Sequence, residues 1–95
     1  MLIHFEPGPK LAGNLTGFVE VQAGARFPVH THLGNEIVFV IQGALEDSDG
    51  TVVRRGQSRE MSPDTTHDFV ALEGPDLIYL VVLDKGVEFD FPFEI

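Results

Sequence analysis

An all-β fold, a small antiparallel sandwich or barrel, is predicted for this chain by three features. Its apolar residues come in short runs rich in Val, Ile and Phe, side chains that suit a pleated, half-buried surface. Turn material rich in Gly, Pro, Asn and Asp separates these runs about every ten residues. No run carries a sustained stripe at helical spacing.

In chain order, LTGFVEVQ (15–22) is the first strand, and GARFPVHTH then ends in an extended run carrying two histidines. EIVFVIQ (36–42), TVVR (51–54), DFVAL (68–72) and LIYLVVL (77–83) follow as strands. AGA, LGN, SDG, RRGQ, SPDT, EGPD and DKG join them: Gly supplies positive φ, Pro fixes φ, and Asn or Asp bond their own backbone. VEFDFPF (87–93) alternates Val87, Phe89, Phe91 and Phe93 against Glu88, Asp90 and Pro92. Its proline lacks a ladder donor, so it is predicted to be an edge strand. Its four large side chains need a cover, which the barrel, the N-terminal LIHF or a second subunit would provide; a homodimer is expected on this ground.

At 95 residues, the chain is expected to form one domain, 1–95, with a single modest core. No apolar stretch approaches the roughly 18 residues that span a bilayer. No basic segment followed by an apolar one opens the sequence, so a cytoplasmic location is expected. The formal charge of −9 would repel phosphate backbones and anionic membranes, which makes nucleic acid and membrane poor partners. Cysteine is absent, and with it disulfides, thiolate metal sites and a Cys nucleophile.

The chemistry therefore rests on nitrogen and oxygen. His30 and His32, two apart on a strand, project to one side, as two ligands of one ion must. Leu33, Gly34 and Asn35 supply a bend, and Glu36 opens the returning strand near the pair. Alone, such a His-x-His pair also occurs on exposed strands where both rings meet water.

The stretch from Gly24 to Gly43 fits Gly-x5-His-x-His-x3-Glu-x6-Gly without a gap, and in this it resembles the first motif of the cupin superfamily. GQSREMSPDTTHDFVA is similar to the second cupin motif at Gly56 and His67, with Ser62, Asp64 and Ala71 standing where that motif has Pro, Gly and Asn. Pro63 and the turn-competent Asp64 could still make the bend. Residues from about 17 to 91 resemble the carboxy-terminal cupin-like domain of ChrR-type anti-sigma factors. The resemblance implies a small cupin barrel, a double-stranded β-helix of jelly-roll type, binding a divalent metal through His30, His32, Glu36 and His67. Those factors hold their sigma factor through a separate N-terminal helical domain, and no segment of that length is read ahead of the barrel in these 95 residues, so sigma-factor inhibition is not expected of them.

Three imidazoles and a carboxylate suit zinc above all, with iron, manganese, nickel or copper as alternatives, and acid should expel the ion by protonating its ligands. Two functions remain open: a small-molecule binding or sensing module of regulatory type, or an iron- or manganese-dependent dioxygenase cleaving a small ketone. Lewis-acid isomerisation or decarboxylation is a weaker third. Among the remaining residues, His4 reads as a solvated side chain and Tyr79 as core. Arg54, Arg55 and Arg59 are expected to balance surface acids such as Glu60, and Phe27, Phe39 and Phe69 to line the cavity or fill the core.

Overall fold

A computed structural model of the protein describes residues 3–7 and 15–89. Among them are ten strands: β1 (Ile3–Pro7), β2 (Leu15–Val21), β3 (Arg26–His32), β4 (Glu36–Gln42), β5 (Ala44–Asp47), β6 (Val52–Arg54), β7 (Ser58–Met61), β8 (Thr66–Ala71), β9 (Leu77–Leu83) and β10 (Val87–Phe89). They form two five-stranded sheets with every pairing antiparallel, one ordered β1-β2-β9-β4-β7 and the other β10-β3-β8-β5-β6. From β2 onward the chain passes to the opposite sheet at each connection except the β5–β6 hairpin, which is the winding of a jelly-roll barrel.

Strand alternation sets the core. On β9, Leu77, Tyr79, Val81 and Leu83 are buried, while Ile78, Leu80 and Val82 between them face outward. Val19 and Val21 of β2, Val40 of β4 and Phe69 and Ala71 of β8 complete much of the same interior. Gly43 holds φ at +75°, and a Cβ there would come within 2.9 Å of the Pro75 carbonyl, so glycine alone permits the close pass between β4 and β5.

Two strands carry too little apolar character to be read from sequence. β5 is ALED and β7 is SREM, each tied down by its neighbours through backbone pairing rather than by an apolar run. β1 adds to the sheet edge against β2.

The edge position of β10 agrees with expectation, but its cover is the barrel itself: Val87 and Phe89 are 3% and 8% exposed. Phe91 and Phe93 lie outside the described residues. The exposed phenylalanine edge on which a homodimer was expected is therefore absent from the described part of this strand. Exposed apolar side chains gather instead on the outer face of the first sheet, at Phe18, Ile37 and Phe39.

Candidate metal centre

Strand pairing brings the histidines together. β3 and β8 are neighbours, and His30 and His67 are directly opposed in register. A bulge between Phe27 and His30 shifts the phase of β3, so both Phe27 and His30 point inward although they are three residues apart. His32 follows on the same face and is wholly buried. The ring centroids lie 4.5 Å (His30–His67), 4.8 Å (His32–His67) and 5.0 Å (His30–His32) apart, and one nitrogen of each lies within 4.8 Å of the others. Glu36 approaches from β4 in the facing sheet, 7% exposed, with Oε1 3.1 Å from His32 Nε2. The three imidazoles thus form the tight group, and the carboxylate joins it through His32.

The partners of Nδ1 define the state of each ring. His30 Nδ1 donates to the Pro28 carbonyl at 2.8 Å, His32 Nδ1 to the Thr65 carbonyl at 3.0 Å, and His67 Nδ1 to Asp47 Oδ2 at 2.6 Å. Each acceptor lacks a proton to give, so Nδ1–H is spent and Nε2 carries the lone pair. His67 Nε2 is buried with no hydrogen-bond partner. His32 Nε2 meets a carboxylate oxygen, two acceptors face to face, an arrangement that calls for a proton or a cation between them. Burial pushes His30 down from 6.5 to about 4, helped by the neighbouring His67 and His32 and opposed by the Pro28 hydrogen bond, so this ring is neutral at pH 7. Three clustered imidazoles whose Nδ1 atoms are engaged elsewhere, with a carboxylate at His32, fit a divalent transition metal.

The departures in the second motif are accommodated locally. Asp64 adopts φ of +65°, the conformation its glycine counterpart would take freely, and it follows Pro63 in a turn closed by Thr65 N–H to the Ser62 carbonyl at 3.4 Å. The Asp64 N–H donates to the His32 carbonyl at 2.8 Å and the His32 N–H to the Thr65 carbonyl at 2.9 Å, pinning this turn to β3. At the first motif's bend, Asp84 accepts from the backbone N–H and the side-chain amide of Asn35; a Cβ on Gly34 would collide with that carboxylate.

One residue of the site went unread in the sequence. Asp47, 4% exposed, receives both His67 Nδ1–H and Arg59 Nη1, the latter at 3.3 Å, on the same oxygen. Alternation in ALED places it on the Leu45 side, a usable signal only once ALED is known to be a strand. Arg59 also grips exposed Asp49 with both terminal nitrogens, at 2.7 and 3.3 Å, and keeps that carboxyl below its ordinary range together with the Thr51 N–H. Its partners are therefore Asp47 and Asp49 rather than Glu60.

Phe27 and Phe69 stack at 4.8 Å and pack beside His30 in the core. Phe39 does not line the site: it is 42% exposed on the outer face, because Glu36, Val38 and Val40 take the inward positions of β4. Tyr79 is core, 5% exposed, and burial with the nearby Glu36 charge raises its hydroxyl well above the ordinary value. His4 is exposed on β1 in the facing sheet, apart from the cluster. Two small cavities flank the centre, each about 20 Å³ and bounded by Glu36 and Tyr79; His67 and Asp47 close one, His30 and Phe27 the other. Each has room for about one water-sized sphere. A shallow outer depression of about 620 Å³ along residues 51–59 meets the first cavity only at Val53 and Arg59.

Fold and site define a jelly-roll barrel with a three-histidine cluster between its sheets. The ChrR Cupin-like domain family matches residues 3–85, and the chain belongs to that family within the cupin superfamily. Among solved structures it is similar to the anti-sigma factor complex of Rhodobacter sphaeroides, SigE with ChrR, at 25% identity and a TM-score of 0.79, covering 85% of this chain and 44% of that one. The acetylacetone dioxygenase of Acinetobacter johnsonii is similar in fold at 15% identity and a TM-score of 0.83, covering 98% and 70%. KdgF from a Halomonas species follows at 23% identity, a TM-score of 0.75, and 88% and 82% coverage. This chain spans less than half of the first of these. No curated protein sequence matches it significantly.

Proposed function

We propose that this barrel binds a divalent transition metal, zinc foremost, through His30, His32, Glu36 and His67, and acts as a small-molecule binding or sensing module of ChrR-like type. One observation carries the reading: three imidazoles give Nδ1–H to fixed acceptors while one ring nitrogen of each lies within 4.8 Å of the others, and His32 Nε2 meets Glu36 Oε1. A bound ion would supply Lewis acidity and a coordination position for a small ligand. The chain's own contribution is to keep His30 neutral, to exclude water with Phe27, Phe69 and Phe89, and to hold the rings from the Nδ1 side. Elemental analysis of protein purified without chelator tests this: about one equivalent of metal is expected, and a His30→Ala/His32→Ala double variant with unchanged metal content would defeat it.

A second reading, an iron- or manganese-dependent dioxygenase acting on a small ketone, draws support from the likeness in fold to acetylacetone dioxygenases. Oxygen uptake by iron-loaded protein across a panel of small ketones separates the two.

The homodimer is proposed on a different face from the β10 edge. In the first sheet β9 is central, and Phe18, Leu80 and Phe39 form one outward apolar row across the three middle strands, with Val82 and Ile37 beside Thr16 in the next row and exposed Glu20 of β2 in the row of Ile78. The flanking strands carry exposed His4 on β1 and exposed Ser58 and Glu60 on β7. A two-fold axis along β9 would set Phe18 of one copy over Phe39 of the other.

A further inference from the structure

We propose that Asp47 is the positioning residue for His67: it fixes the ring and its tautomer so that Nε2 is presented to the metal, with Arg59 anchoring the carboxylate from behind. This rests on the metal-binding reading above and extends it beyond the four ligands. Asp47 lies on β5, next to β8 in the second sheet, and its backbone pairs opposite Phe69, so its side chain rises beside that of His67 on the inward face. The Asp47–His67 contact, at 2.6 Å, is shorter than the carbonyl contacts of the other two histidines. It is also unlike them in kind. His30 and His32 give Nδ1–H to backbone carbonyls fixed by the chain itself, whereas the partner of His67 is a side chain that must itself be held.

Two groups hold it. Arg59 Nη1 lies 3.3 Å from the oxygen that accepts from His67, and the Ser48 hydroxyl donates to the other oxygen at 3.2 Å. Arg59 in turn is tied to Asp49 at the surface, 2.7 Å away. A chain of charge-assisted contacts therefore runs from the exposed β5–β6 turn to His67, whose buried Nε2 has no hydrogen-bond partner. A carboxylate buried this deeply is costly unless paired, and here the pairing directs it onto a single imidazole nitrogen. Carboxylate behind a ligating histidine orients the ring and raises its basicity as a donor, and loss of such a partner typically weakens metal affinity about 10- to 100-fold.

The test is zinc affinity by competition with a chelator, with the absorption spectrum of the cobalt-loaded protein as a second readout, on the full chain. Asp47→Ala is expected to weaken zinc binding about 10- to 100-fold and to shift the cobalt ligand-field bands. Asp47→Asn retains an acceptor oxygen without the charge and is expected to lose less; thermal melts of both variants verify that they fold. In a His67→Ala background the Asp47→Ala loss should vanish, because the residue acts only through that ring. Wild-type affinity and spectrum in folded Asp47→Ala, or the same loss with His67 already removed, would overturn the assignment. If the His30→Ala/His32→Ala variant keeps its zinc, the metal reading itself fails; if that variant loses zinc while Asp47→Ala does not, only the role of Asp47 is refuted.

Discussion

Acid should destabilise the metal-free protein through His30. The ring is 3% exposed, packed among Phe27, Phe69 and Phe89, and its folded value is about 4 against 6.5 in an unfolded chain. Between those two values the unfolded state binds a proton that the folded state refuses, so stability falls as pH falls through this window. The whole difference corresponds to about 3 kcal/mol, of which about 2 kcal/mol is lost between pH 7.5 and pH 5. Below pH 4 both states carry the proton and this contribution levels off. Urea unfolding of the metal-free protein at half-unit steps of pH measures it, with His30→Gln as the control that lacks the group. The variant's stability should decline less over that range by about 2 kcal/mol. Parallel pH profiles for the two proteins would refute the claim that this imidazole is held neutral by burial.

Other outcomes follow from the same geometry. Adding zinc at 100 times its dissociation constant should raise unfolding free energy by about 2.7 kcal/mol, and a chelator should abolish the gain; calorimetry checks both. Phe69→Ala removes a ring stacked on Phe27 and should cost about 3–5 kcal/mol in denaturant unfolding. Asp64→Val places a β-branched residue at φ of +65° and should cost about 1–3 kcal/mol, whereas Asp64→Gly should be neutral or stabilising in the same measurement. Leu80→Asp, at the centre of the outer face of the first sheet, should yield a monomer in sedimentation equilibrium if the proposed dimer forms there; an unchanged mass would remove that face from consideration.

What the sequence determined is everything that depends on spacing along one strand. Period-two alternation put His30 and His32 on one side, and the short Val-, Ile- and Phe-rich runs between turns marked the all-β class; LIYLVVL is apolar at every position, so which of its faces turns inward was left to the fold. The family motifs pointed to His67 as the partner of the pair, and Asp64 makes the bend that its sequence position requires.

Tertiary structure decided what spacing cannot encode. A bulge reversed the phase of β3 so that Phe27 and His30 share the interior; two apolar faces competed on β4 and the one bearing Glu36 won, sending Phe39 outward. β5 and β7 exist because neighbouring strands complete their hydrogen bonds, not because their own side chains ask for a sheet. Asp47 meets His67 across twenty residues only because β5 and β8 are adjacent, and such adjacency is a property of the closed barrel that no local pattern contains.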